Sequence, residues 1–503
     1  MCIICVSTIS IASLVAPTHL TTQAEIQPIS IVEKQPAQEF YSTTKSEYTF
    51  TNRSCTKSEL NKVKGNSTCL KNGKVYRWAT KKDVPTAKTS KPITTPTTQS
   101  PIQNAGDLYS LPSELSDNVD LCKIKETNLT GPRRAKGWDA PEAPDFSLPS
   151  GFPAVTSASQ RTGIIKWALI PIDFLDLQGE SNYMSRVDGQ MTMLSDWFST
   201  VSEGKLKVTW EVAKNWVRLP SNSIQYKVSV DDYRINAQSN GFRLFEDAIK
   251  AADPTFDFTN ITNVVFLLPK GQTFLEVTTQ GFSWDKAVVN SRTNEGRINS
   301  FSIPGMFMDQ PNKDYWGYWA HEFGHEISLP HIGRSYPPPA LFTGFDLMSS
   351  QDGPTRDLSG WLRFVAEWLP EERVYCKESK AITKLELTLV PLNSSEKGLK
   401  MAVIPLSTTK ALIIESRRAT KFYCQMNPVQ SGALVYIYDA NLTHGQDFLT
   451  QVIPEGRQQV QSPCPVPPMA DSVLRTGDKV SIEGLTIENL FSGNFDKIRV
   501  SRG

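Results

Sequence analysis

From about residue 160 the apolar positions fall into an alternation of strand and helix patterns. "IIKWALIPIDF" is apolar almost throughout, as a strand covered on both faces would be, and Val187, Met191, Leu194, Phe198 and Val201 then recur at helical spacing. "KLKVTWEV" alternates and predicts a half-exposed strand. Phe242, Phe245, Ala248, Ile249 and Ala252 mark a second amphipathic helix, and "NVVFLLP" is a buried strand ended by proline. Strands separated by helices predict a mixed α/β (α+β) domain. Past residue 371 the helical period disappears. "KLELTLVPL", "MAVIPL", "ALIIES", "ALVYIYD", "KVSIEGLTI" and "KIRVS" follow one another with turn residues between them, which predicts an all-β C-terminal domain of sandwich type.

The chain before residue 160 is patterned differently. "MCIICVSTISIASLVAPTHLTTQAEIQ" opens with an apolar run too short to span a bilayer comfortably, followed by small and polar residues; it reads as a signal peptide over residues 1–24. The missing basic start leaves an ordinary buried strand as the alternative. Residues 25–50 are polar and unpatterned, which predicts disorder. "SCTKSELNKVKGNSTCLKNGKVYRW" suggests a small cysteine module over 51–82, and the Pro/Thr-rich stretch over 83–105 an extended spacer. The mixed domain then occupies 106–370 and the β domain 371–503. No repeat of fixed period is present.

Composition narrows the partners. Fifty-three basic and fifty-two acidic residues in a chain of 503 leave a net charge of +1, so no overall field favours nucleic acid or an anionic membrane. No segment after the leader looks transmembrane, and a secreted monomer is expected. Of the eight cysteines, Cys2 and Cys5 leave with the leader; the remaining six contain no CxxC pair, which favours disulfides over a thiolate metal site. Cys55 with Cys69 is the one pairing suggested, because both lie in a short polar segment with little core of its own.

Three of the five histidines lie within "HEFGHEISLPH". With Asp314 as a helix N-cap, Trp316, Trp319, Ala320, Phe323 and Ile327 form one apolar stripe, and His321 and His325 share a neighbouring face one turn apart. Both rings can then reach one zinc ion, with Glu322 angled toward a water at the metal, the arrangement of an HExxH motif. A catalytic zinc takes three protein ligands. Leu329 precedes Pro330 and is biased away from the α region, so the helix should stop near Ser328 and the chain turn back, bringing His331 in as the third. Zinc would acidify the water and polarise a carbonyl, while Glu322 takes the proton and returns it to the leaving amine.

"HEFGHEISLPH" resembles the extended signature of metzincin-type zinc peptidases, and "FDLMSS" resembles their Met-turn. With "LSGWLRFVAEWLP" further on, the chain is similar to the immune inhibitor A-like (peptidase family M-six type) secreted bacterial metallopeptidases over about residues 160–370, and loosely beyond. The resemblance implies a metzincin-like zincin fold, His321, His325 and His331 as zinc ligands, Glu322 as general base and acid, Met348 as the floor of the site, and a protein or peptide substrate. Two positions depart from the family. Ser328 stands where the turn usually has glycine, and His331 where these relatives often have aspartate.

Several residues keep a second reading. Met348 fits plain core filling, Asp346 either orients a ligand histidine or caps the turn, and Glu367 offers a carboxylate as an alternative third ligand. His19 lies in the leader, and His444 reads as a lone loop histidine. Calcium has no clear motif, since "DFLDLQGE" is too irregular for a calcium loop. "RINSFSIPG" is a candidate strand for pairing with an extended peptide. The leading expectation is a zinc endopeptidase; the alternatives are a catalytically inactive surface-binding or adhesion protein that keeps the fold, and a precursor shielded by residues 25–150.

Overall fold

The computed structural model describes most of residues 48–81 and, from residue 112 onward, all but 127–147, 154–158, 230–236, 282–290, 310–313, 334–341, 343, 352–354, 423–430, 443, 458 and 461–468. The expected leader, the polar stretch up to residue 47, the 83–105 spacer and Cys55 lie outside the described residues. Two compact units emerge, one holding the described residues of 48–81 and the other those from 112 onward.

The smaller unit is one antiparallel sheet of β1 (Tyr48–Ser54), β2 (Val63–Lys64), β3 (Ser67–Asn72) and β4 (Val75–Lys81), in the order β1-β4-β3-β2. Cys69 on β3 is buried and disulfide-bonded. Its suggested partner, Cys55, lies outside the described residues.

The larger unit begins as mixed α/β: β5 (Gly163–Asp173), α1 (Met184–Val201), β6 (Leu206–Val212), β7 (Val217–Arg218), α2 (Ala237–Ala252), β8 (Ile261–Leu267), β9 (Thr279–Gly281) and β10 (Ser300–Ile303). The helices α3 (Tyr315–Glu326) and α4 (Gly360–Val365) follow. The sheet order is β6-β5-β8-β10-β9, with β7 paired to the end of β5. β6, β5, β8 and β10 run parallel, and β9 is antiparallel on β10.

The unbroken apolar run of β5 has a simple cause: both faces of this sheet are covered. Ile165, Trp167 and Leu169 point into one apolar core with Val187, Leu194 and Phe198 of α1 and Trp319 and Phe323 of α3. Ala168, Ile170 and Ile172 point the other way, into a second core with Phe245, Ala248 and Ile249 of α2. The candidate peptide-pairing strand within "RINSFSIPG" is β10, and the structure corrects that expectation. Its backbone is committed on both sides, to β8 and to β9, so it has no free edge.

The β-rich remainder forms two sheets. β11 (Val374–Cys376), β13 (Met401–Pro405), β14 (Lys410–Arg417), β15 (Gly432–Asp439) and β16 (Leu449–Gln451) make one, in that order; β12 (Lys384–Leu389), β21 (Asp496–Arg502), β20 (Leu485–Ser492) and β19 (Lys479–Ile482) make the other. The short β17 (Gln459–Val460) and β18 (Met469–Ala470) pair separately. Leu412, Ile414 and Val435 of the first sheet meet Leu385, Ile487 and Ile498 of the second in a shared core. Ala411, Ile413, Leu434, Tyr436 and Tyr438, the alternate residues of β14 and β15, join instead the core that contains α1, α3 and α4. The five-stranded sheet is thus buried on both faces, and apolar residues on either side of residue 370 share one core.

Two further features tie these regions together. A disulfide joins Cys122 to Cys376 on β11, a pairing that spacing did not suggest across 254 residues. A buried ionic cluster lies where α4 meets the five-stranded sheet. Arg363 pairs with Asp357 at 2.6 Å, and Arg417 with Glu415 at 2.9 Å, all four side chains at most 2% exposed. Gly360 at the start of α4 donates its N–H to Glu415 at 2.7 Å, and a Cβ there would sit 2.7 Å from that carboxylate oxygen, so a larger residue would displace the carboxylate. Among the described residues, no helix is long and apolar enough to cross a membrane.

Candidate metal centre

α3 carries the first two candidate ligands and differs from the expected amphipathic helix: all twelve of its residues are buried. The apolar stripe of Trp316, Trp319, Ala320 and Phe323 does face the core, while the opposite side lies under other parts of the chain. Asp314 occupies the N-cap position without a capping bond, because its carboxylate is taken by Arg356 at 2.6 Å. His321 and His325 are one turn apart, their ring centroids separated by 4.9 Å.

The helix ends two residues earlier than Ser328, through a Schellman motif. Leu329 N–H reaches back to the carbonyl of Gly324 at 2.8 Å, and Ser328 N–H to that of His325 at 3.0 Å. This geometry places Ser328 at φ 73°, the left-handed conformation the usual glycine adopts without strain. The chain therefore completes the turn with an unfavourable residue. Ser328→Gly is expected to raise stability by about 0.5–1 kcal/mol, the relief of strain exceeding the added entropy of the unfolded chain. Denaturant unfolding of the metal-free protein measures this, and an unchanged or lower midpoint contradicts it.

The turn delivers His331 to the other two rings. Ring centroids of His331 lie 4.6 Å from His321 and 4.4 Å from His325, and the Nε2 atoms of His321 and His331 are 3.4 Å apart. One nitrogen from each of the three rings falls within 4.8 Å of the others, so the group can hold a metal ion. Each ring is oriented by a backbone partner, as ligand imidazoles require. His321 Nδ1 lies 2.9 Å from the carbonyl of Leu347 and His325 Nδ1 2.8 Å from that of Leu329, while the His331 ring bonds the backbone of Met348. Nε2 of His325 is buried without a hydrogen-bond partner. A buried imidazole nitrogen left in this way fits a cation better than it fits a core.

The turn around Met348 contributes through its main chain as well as its side chain. Met348 is fully buried, and its sulfur packs so closely beneath α3 that a Cβ on Gly324 would come within 2.9 Å of it. Asp346 caps the turn: one carboxylate oxygen accepts the Met348 N–H at 2.8 Å and the other the Ser359 N–H at 2.6 Å. The capping reading of Asp346 therefore holds. Glu367 lies beyond the end of α4, is exposed, and is not grouped with the three histidines.

Burial sets the electrostatics. It lowers His321 to about 4 and His325 to about 3, and pushes His331 well below its ordinary value, with repulsion from neighbouring rings adding to all three. The rings are thus held neutral, the form in which imidazole binds a metal. Burial raises Glu322 to about 8, against the pull of Gln280 and Tyr318, which face its carboxyl group. A cation held by the rings would act in the opposite direction and favour the carboxylate. Oε1 of Glu322 is buried without a hydrogen-bond partner, and the side chain borders a small cavity also lined by Gln280, Ser302 and Trp319.

Sequence reading missed three contributors. Gln280 on β9 and Tyr318 on α3 flank Glu322. His444, expected to be a lone loop residue, lies against the centre, its ring 5.2 Å from His331 and 5.7 Å from His325. Tyr318 is four residues before Glu322, a spacing that places both on one helix face and was available as a signal. Nothing local in the sequence points to His444.

Comparisons with known proteins add little. No family model matches the chain, and no curated protein matches it. Among solved structures, the chain has a likeness to metalloproteinase-II from Bacteroides fragilis at 16% identity and a TM-score of 0.23, covering 43% of this chain and 55% of the other. The match thus spans about half the length of that protein.

Proposed function

We propose that the chain is a secreted, zinc-dependent endopeptidase of metzincin-like type, similar in its motifs to the immune inhibitor A-like enzymes. The observation that carries this reading is the convergence of three neutral imidazoles beside one buried carboxyl group. Two nitrogens bound to zinc at 2.0–2.1 Å and at a tetrahedral angle lie about 3.4 Å apart, and His321 and His331 stand at that separation. His321, His325 and His331 would hold the ion. When bound, zinc acidifies water and polarises a carbonyl group. Glu322 accepts the proton of the attacking water at its unpartnered Oε1 and delivers it to the leaving amine nitrogen, with Gln280 and Tyr318 facing the carboxyl group. The Cys122–Cys376 disulfide suits an oxidising, extracellular destination.

A second reading, a zinc-holding protein without catalysis that serves in surface binding, is favoured by one observation. His321, Glu322, His325 and His331 are all at most 7% exposed, the burial that a structural metal site shows. Zinc analysis of the purified chain, joined to digestion of an unfolded casein-type substrate with and without a chelator, separates the two. The peptidase reading expects about one zinc per chain and chelator-sensitive cleavage. Bound zinc with no cleavage favours the second reading, and no bound zinc overturns both.

A further inference from the structure

We propose that His444, in the connection between β15 and β16, is a positioning residue for the third metal ligand, so that the C-terminal β region forms part of the metal centre. The inference rests on the metal-centre reading above. His321 and His325 are placed by α3, whose hydrogen-bonded backbone fixes their spacing. His331 has no such support: it follows Pro330, outside the helix, and its ring can be no better placed than its backbone.

That backbone is held by the C-terminal region. His331 N–H donates to Nδ1 of His444 at 3.1 Å, and the His331 carbonyl accepts the N–H of Gly445 at 2.9 Å. Two residues on, Gly333 N–H donates to the carbonyl of Gln446 at 2.8 Å, and Ile332 pairs with Gln446 as a parallel bridge. Both main-chain groups of the third ligand are therefore bonded to residues 444 and 445, more than a hundred positions away in sequence. The remaining support comes from the Met348 turn, whose carbonyl accepts the Ile332 N–H at 3.0 Å.

The chemistry of His444 fits support better than ligation. To accept an N–H at Nδ1 the ring must carry its proton on Nε2, so neither nitrogen presents a lone pair to a metal. The His444 ring, 8% exposed, packs at 67° against both His325 and His331 and closes that side of the cluster. A partner that orients a metal ligand is typically worth 10–100-fold in metal affinity.

Zinc affinity of the full chain, read by competition with a chelating dye, tests the proposal without reference to peptidase activity. H444N keeps an acceptor near the Nδ1 position through its Oδ1, whereas the longer side chain of H444Q carries its acceptor toward the Nε2 position, and H444A has none. H444A and H444Q are expected to bind zinc about 10–100-fold more weakly than wild type, with H444N close to wild type. Equal affinity in wild type and H444A overturns the proposal, as does an H444N variant as weak as H444Q. If H444A does not fold, the comparison of H444N with H444Q decides. A wild-type chain that binds no zinc overturns the metal centre itself; a wild-type chain that binds zinc with variants that do not respond overturns only the role of His444.

Discussion

On the peptidase reading, E322Q is expected to lose protein-digesting activity by about 10²–10⁴-fold with the same zinc content as wild type. Glutamine has nearly the same shape as glutamate and can keep the place beside Gln280 and Tyr318, the groups that face this side chain. What it cannot do is accept a proton. Glu322 is also outside the group of nitrogens that can hold the ion, so the substitution separates chemistry from metal binding. The measurements are kcat/KM on an unfolded protein substrate and zinc per chain on the same preparation. Unchanged activity would remove Glu322 from the mechanism, and loss of zinc would make it a ligand in place of a base. His331→Ala gives the opposite pattern if the triad is right, losing metal and activity together, whereas Glu367→Ala keeps both.

Removing the Arg417 guanidinium should cost about 3–5 kcal/mol, the usual penalty for leaving a buried charge without its partner. R417M leaves Glu415, which is 0% exposed, with the donors Gly360 N–H and Tyr436 O–H but no cation, and takes a second cation from Asp357, whose carboxylate lies 3.6 Å from Arg417. Arg417 also donates to the carbonyl of Phe345 at 2.6 Å, only two residues before the Leu347 carbonyl that orients His321. Denaturant unfolding of the metal-free chain is the appropriate measurement, because bound metal would mask part of the loss. A ΔΔG below about 1 kcal/mol would show that water or rearranged partners replace the guanidinium and that the cluster contributes little. R417K is expected to recover only part of the loss, since an ammonium cannot serve a carboxylate and a carbonyl with a planar fork of donors.

What was legible in the sequence was what depends on neighbours along the chain. The spacing of Val187, Met191, Leu194, Phe198 and Val201 marks α1, the unbroken run of β5 marks a strand with two covered faces, and four-residue spacing brings His321 and His325 together. Pro330 and the turn before it pointed to the return of His331 toward them. Features that depend on distant partners were not legible. A strand's pattern tells which faces are buried but not which strands flank it, so β10 remained a candidate for pairing with a peptide. Asp314 satisfied the local rule for a cap, yet the charge of Arg356, 42 residues on, claimed its carboxylate. His444 meets His331 only because two regions pack together, and no spacing rule reaches across 113 residues.

The five-stranded sheet, with one side turned to the other β sheet and the reverse side turned to the helices around the three histidines, makes the two halves of the larger unit mutually dependent. Neither half can be exchanged, trimmed or redesigned by itself, because each supplies a wall that the other needs to stay dry. For the three histidines this means that β14 and β15, strands that carry none of them, line the same apolar core as the helix that carries two of them.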